Sequence, residues 1–122
     1  NNQIECIAKA VYFEAKGEPT KGKIAVANVV MNRTRSGRFG STPCEVVHQR
    51  TRSTCQFSWV CHPRKAIRES DVYNESRRIA REVYDGTLGD VTRNSLFFHA
   101  VYVRPGWHRP RTVRIGGHIF YS

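Results

Sequence analysis

Apolar residues recur at Ile4, Ile7, Ala8, Val11 and Ala15, the three- and four-residue spacing of one helix face. The pattern predicts an amphipathic first helix, with Gly17 as its C-cap and Pro19 preventing easy continuation. A second helix is expected from Thr20 or Gly22, through Val26 and Val30, to about Arg35. Ile24-Ala25-Val26-Ala27 and Val29-Val30-Met31 make it apolar nearly all round, so it should run through the core. Gly37 and Gly40 mark a loop. Thr42-Pro43-Cys44-Glu45 has the form of a capping box with proline at the first helical position, which starts a short third helix. The stretch from Arg50 to Pro63 has no strong period. Helical spacing returns from about Asp71 to Tyr84, with Val72, Ser76, Ile79, Ala80 and Val83 on one face and Asp85-Gly86 as the stop.

The last thirty or so residues change character. Leu96 to Val103 is rich in aromatic and β-branched residues, and Thr112 to Tyr121 is interrupted by Gly116-Gly117, a hairpin signal. Helices first and strands last make an α+β pattern: a helical core with a small antiparallel β-sheet toward the C-terminus. No internal repeat, low-complexity tract or linker divides the chain, so residues 1–122 are expected to form one domain.

Composition narrows the class. Hydrophobic residues make up 39% and aromatics 11%, enough for a packed core, which excludes disorder. No apolar run approaches the roughly 20 residues needed to cross a bilayer. Asn1-Asn2-Gln3 carries neither an initiator methionine nor a signal-peptide pattern, so a mature or trimmed form is expected. Lysine and arginine outnumber aspartate and glutamate 20 to 10, a formal charge of +10. Such a field attracts polyanions: nucleic acid, an anionic membrane, or a bacterial envelope bearing acidic polymers. Four cysteines, Cys6, Cys44, Cys55 and Cys61, suit two disulfides in an oxidising compartment and allow three pairings. Cys55, Cys61 and His62 cluster, but their spacing matches no familiar zinc module, so disulfides or free thiols are favoured over a metal.

Chemistry is concentrated in one carboxylate. Glu14 falls three residues after Val11, on the border of the buried stripe. Lost solvation there disfavours the charged form and raises the pKa. A glycosidase general acid needs that property, because it must hold a proton near neutral pH. A glutamate at the edge of an apolar stripe is more often salt-bridged or snorkelling, and periodicity alone does not make an enzyme.

The motifs read together change that balance. Ala10-Val11-Tyr12-Phe13-Glu14-Ala15-Lys16-Gly17-Glu18-Pro19 resembles the signature of the cell wall hydrolase family typified by the spore cortex-lytic enzyme SleB. The similarity continues through Gly22, Ala25-Val26-Ala27 and Val29-Val30-Met31-Asn32-Arg33, then Phe39 and Thr42-Pro43-Cys44-Glu45-Val46-Val47. It resumes at Cys55-Gln56-Phe57-Ser58-Trp59, at Phe98-His99, and at Tyr102-Val103-Arg104-Pro105-Gly106-Trp107. Its least characteristic part lies between about Arg64 and Asn94. Two departures stand out: Phe97 where many relatives carry a histidine, and Lys16 in place of a commoner arginine.

The resemblance implies a fold related to the lysozyme-like lytic transglycosylases. It also implies cleavage of the β-1,4 bond between N-acetylmuramic acid and N-acetylglucosamine, with Glu14 as the catalytic glutamate. Gln56, Phe57 and Ser58 match the segment expected to line the sugar cleft. Trp59, His99 and Tyr102 are further substrate-binding candidates, each with a competing structural role. Trp107 is weighed in the same way as Trp59, between sugar stacking and packing. Glu18 is expected past the helix end, supporting the site by anchoring a backbone N–H or an arginine such as Arg33. Closeness in sequence suggests Cys55 with Cys61, which would leave Cys6 with Cys44.

The scarcity of acids bears on mechanism. Hydrolysis by either standard route uses two carboxyl groups about 5–9.5 Å apart, and only Glu18 and Glu45 compete for the second place. A lytic transglycosylase manages with one, which favours transglycosylation over a muramidase reaction and calls for no metal or cofactor. Expected partners are peptidoglycan glycan strands and an anionic bacterial envelope, met by a monomer in the periplasm or at the cell wall. A phage endolysin suits a strongly basic single domain; spore-germination and periplasmic remodelling enzymes are the other roles considered. The rival classes are a nucleic-acid-binding module, for which no helix-turn-helix, zinc-finger or RNA-recognition pattern exists, and a cationic envelope-disrupting protein that needs no catalysis.

Overall fold

Four helices precede three strands in the computed structural model, which describes residues 1–62 and 65–122. Pro63, the last residue of the aperiodic stretch, and Arg64 lie outside the described residues. Helix α1 spans Asn2–Ala15, and the Asn1 side chain caps it by accepting from the Gln3 N–H at 2.8 Å. The stop differs from the sequence expectation. Lys16, in the right-handed region, is the C-cap, and the chain turns through the Lys16 N–H on Tyr12 and the Glu18 N–H on Ala15. No left-handed glycine is needed there.

Helix α2, Thr20–Ser36, ends on Gly37 at φ 71°, the left-handed cap that glycine adopts without a Cβ penalty. It is buried along its length, as its composition predicts, but not by apolar residues alone. Asn28, Asn32 and Arg33 are also buried. Asn28 accepts from the Val91 N–H, Asn32 donates to Asp90 and to the Ser95 carbonyl, and Arg33 Nε donates to the Leu96 carbonyl at 2.6 Å. These bonds satisfy groups that would otherwise be costly to bury, and they hold the segment leading into the sheet.

Helix α3, Pro43–Val47, begins as its sequence predicts: the Thr42 hydroxyl accepts from the Glu45 N–H and Pro43 occupies the first turn. Glu45 turns back one residue further than expected, accepting from the Ser41 N–H and hydroxyl at 2.8 Å each. A 3₁₀ turn follows at Ser58–Cys61. Helix α4, Ser70–Tyr84, buries Tyr73, Ser76, Ile79, Ala80 and Val83; Tyr73 takes the place expected of Val72. Its N-cap, Glu69, makes no side-chain cap bond. The buried Tyr12 hydroxyl instead fixes the chain entering the helix, accepting from the Arg68 and Glu69 N–H groups at 3.2 Å each. Residues of α1, α2, α3 and α4, with Phe57, form the main core.

The strands are β1 (Phe97–Ala100), β2 (Arg111–Ile115) and β3 (His118–Tyr121), antiparallel in the order β1-β3-β2. Phe98 pairs with Phe120 and Ala100 with His118. Ile115 and Phe120 pack on Ala25 and Val29 of α2, so the sheet has its own small core. The β2–β3 turn is latched to the α1–α2 corner: the Gly117 N–H donates to Glu18 Oε1 at 2.7 Å. At Gly116, φ is 56° and any Cβ would collide with Glu18 Oε1. The glycine pair is therefore required by the latch as well as by the turn.

Disulfides join Cys6 to Cys44 and Cys55 to Cys61, leaving no free cysteine. The first ties α1 to α3 across 38 residues; the second closes a six-residue separation around Gln56–Val60. No described helix is long and apolar enough to cross a membrane.

Candidate active site

A cleft of about 580 Å³ opens between the helical part and the sheet. The end of α1 contributes Phe13 and Glu14, α2 contributes Arg33, and the disulfide-closed loop contributes Gln56, Phe57 and Ser58. The opposite wall is Phe98, His99 and Ala100 of β1, Tyr102 and Val103 beyond it, and His118 of β3. Glu14 is the only acid lining the cleft among the described residues.

Burial raises the Glu14 pKa, the direction a proton donor requires. The Trp59 indole and the Arg33 guanidinium oppose that shift without cancelling it. The Trp59 Nε1–H approaches the carboxyl but completes no well-formed hydrogen bond, and the atom is buried without another partner. It is placed to donate once Glu14 ionises.

Arg33 is 3% exposed, and burial draws its pKa down to about 10 despite the attraction of Glu14. It therefore remains charged at neutral pH. Its guanidinium carbon lies 4.8 Å from the Phe39 ring centroid, 5.5 Å from Phe97 and 5.6 Å from Phe57. This aromatic cage replaces hydration. The Nε bond to Leu96 fixes the plane, while Nη1 is buried without a hydrogen-bond partner among the described residues. Phe97 also carries the Arg109 guanidinium 3.6 Å from its centroid. The Phe97 ring thus lies between two cations and adds no third charge.

The other sequence candidates divide. Gln56, Phe57, Ser58, His99 and Tyr102 all line the cleft. Phe57 is buried, whereas Tyr102 is 86% exposed at the rim. The two nitrogens of His99 are engaged, Nδ1 with the Ala100 carbonyl at 2.7 Å and Nε2 with the Tyr121 hydroxyl at 2.6 Å. The carbonyl can only accept, so Nδ1–H donates to it; with both nitrogens engaged, His99 presents a ring face rather than a free polar atom.

Trp59 differs from its expected place. It does not line this cleft but stacks on Phe13, centroids 4.8 Å apart, from behind. Stacking on protein leaves that face no room for a sugar. Trp107 likewise packs against Phe97, His99 and Tyr121. Glu18 does not meet Arg33; it holds Gly117.

Phe98 and Val103 stand in the motifs of the resemblance but without an expected site role, and His118 was not singled out at all. His118 is buried, with Nδ1 unpartnered and its pKa lowered by burial while Glu18 pulls the other way. It reaches the cleft only through the pairing of β1 with β3, which composition does not reveal.

The Cell Wall Hydrolase family model matches residues 17–121, starting just after α1. The spore cortex-lytic enzyme of Bacillus subtilis (strain 168) is 33% identical over 125 residues, covering 98% of this chain and 37% of that enzyme. Its counterpart from Oceanobacillus iheyensis is 36% identical over 124 residues, covering 98% and 41%. The chain thus spans about two fifths of the length of these curated relatives. The crystal structure of the catalytic domain of Bacillus cereus SleB aligns at TM-score 0.78 and 30% identity, over 99% of this chain and 90% of that one. The catalytic domain of the germination-specific lytic transglycosylase SleB from Bacillus anthracis aligns at 0.78 and 30%, over 100% and 95%. Both alignments extend across the helix that carries Glu14. Sequence, fold and cleft agree: the chain belongs to the Cell Wall Hydrolase family.

Proposed function

We propose that residues 1–122 form one catalytic domain that cuts peptidoglycan between N-acetylmuramic acid and N-acetylglucosamine as a lytic transglycosylase, with Glu14 as its acid and base. The observation that carries this reading is the single carboxyl group in the cleft. Both standard hydrolytic routes need a second one. The candidates for it are committed elsewhere: Glu18 binds the Gly117 N–H, and the pKa of Glu45 is lowered by bonds from Ser41.

Protonated Glu14 gives its proton to the glycosidic oxygen as the bond from that oxygen to the muramyl anomeric carbon breaks. The N-acetylglucosamine fragment leaves with a neutral 4-hydroxyl. The muramyl 6-hydroxyl then forms the new bond to the anomeric carbon, and its proton passes to the Glu14 carboxylate. A 1,6-anhydromuramyl end results and the acid is restored. Between the steps Arg33 and the Trp59 N–H stabilise the ionised carboxylate, while Gln56, Ser58 and Tyr102 offer polar contacts to the sugars. The charge of +10 suits a monomer drawn to an anionic bacterial wall, in the periplasm or at the cell surface, as for a phage endolysin.

Mass spectrometry of digested peptidoglycan tests the reaction type. Anhydromuramyl ends are expected; reducing muramic ends would make the enzyme a muramidase, and cut stem peptides would overturn both. A pH profile tests Arg33. Because its charge lowers the Glu14 pKa, Arg33→Gln should move the alkaline limb of kcat/KM to higher pH, and Arg33→Lys should keep that limb near wild type. A purely structural arginine would lower activity without moving the limb.

A further inference from the structure

A second groove of about 390 Å³ lies behind the Phe13–Trp59 stack, on the far side from the cleft that holds Glu14. Phe13 lines both spaces, so the two adjoin along α1. The groove is cationic: Lys9 and Lys65 border it with His48 and His62, and no described carboxylate does. Among the described residues neither lysine forms an ion pair. The His48 Nδ1 is paired with the Cys44 carbonyl at 2.9 Å, which orients the ring. Trp59 and Ile67 supply an apolar lining, and the Cys55–Cys61 disulfide braces the Trp59 side.

Resting on the peptidoglycan reading above, we propose that this groove binds the short acidic peptide borne by the muramic acid whose bond is cut. The chemistry is complementary: free carboxylates for the two lysines, small apolar side chains for the aromatic and aliphatic lining. The dimensions also agree. Lys9 precedes Glu14 by five residues on α1, roughly 7–8 Å along the axis. Five residues also turn the helix by about 140°, so the path round the Phe13–Trp59 stack is longer than the rise alone, and about four extended peptide residues span it. A peptide leaving the muramyl lactyl group beside Glu14 therefore brings its far end, with the terminal carboxylate, to Lys9. Filling the groove anchors the muramyl unit through a part of the substrate remote from the bond that breaks.

The test compares peptide-bearing peptidoglycan with the same glycan stripped of its peptides by an amidase. Lys9→Glu with Lys65→Glu should raise KM roughly five- to tenfold on the peptide-bearing substrate and leave the stripped glycan unaffected. Lys21→Glu with Arg81→Glu makes the same change in net charge outside the groove and should show no such contrast. Equal losses on both substrates, or equal effects of the two double variants, would overturn the proposal in favour of a general field. A binding measurement keeps it separate from catalysis. Titrating the isolated stem tetrapeptide at millimolar concentration should shift the NMR signals of the Trp59 indole and the Lys9 amide. No shift, or a shift produced instead by a glycerol phosphate polymer, would overturn it. Peptide binding by a protein that cuts neither glycan would sink the glycosidase reading and leave the groove assignment standing.

Discussion

Glu14→Gln is expected to lower kcat on peptidoglycan by about 10²–10⁴-fold, the range over which a positioned general acid acts. Glutamine keeps the shape and polarity of the side chain but carries no proton that can be given to a glycosidic oxygen. KM should change little, because the neutral amide resembles the protonated acid that greets the substrate. The measurement is release of anhydromuramyl products, alongside circular dichroism to establish that the variant is folded. A wild-type rate from Glu14→Gln would remove Glu14 from the mechanism.

The same variant has a thermodynamic signature. The folded-state pKa of Glu14 is raised by burial, so the folded protein holds this proton more tightly than the unfolded chain does. The stability that Glu14 contributes is fully present below its unfolded pKa and lost as pH rises through the folded value. Glutamine does not ionise. The Tm difference between variant and wild type should therefore move in the variant's favour as pH rises from acid toward neutral, a trend an exposed glutamate would not produce.

The second large effect concerns the Cys6–Cys44 disulfide. Replacing both cysteines with serine should destabilise the domain by about 4 kcal/mol, from the entropy of a loop spanning 38 residues. For a chain of 122 residues that corresponds to a Tm roughly 15 °C lower. Well below the transition, kcat should stay near wild type, since neither cysteine lines the cleft and the Gln3 side chain still accepts the residue 44 N–H. Removing Cys55–Cys61 should cost only about 2 kcal/mol by the same reasoning. A calorimetric scan of both double variants distinguishes the two bridges, and equal losses would show that loop length does not govern them.

The helices were legible because each carries local instructions. Thr42 and Pro43 begin α3, Gly37 stops α2, and the spacing of Ile7, Val11 and Ala15 turns α1 inward. The end of α1 was misplaced because Gly17 looks like a cap, while the turn closes through ordinary right-handed backbone. Tyr73 was missed in α4 because its burial depends on a partner in α1: its hydroxyl donates to Glu5 at 2.6 Å. Glu14 stood out because Val11 and Ala15, buried on the same helix, already place it at the edge of the apolar stripe. Trp59 and His118 were misread or unseen for the opposite reason. What Trp59 touches depends on the fold of the disulfide-closed loop, and what His118 faces depends on strand register with Ala100.

The latch between Glu18 and Gly117 joins residues 99 positions apart. Within the domain, Glu14 and Arg33 precede His118 and β3, against which β1 pairs. A nascent chain can thus assemble its helices and still have an open, one-sided groove in place of the cleft. The closed cleft forms only once β3 is in place. Proteolytic loss of the β2–β3 hairpin consequently removes the His118 side of the cleft and the strand on which β1 pairs, while leaving Glu14 in place.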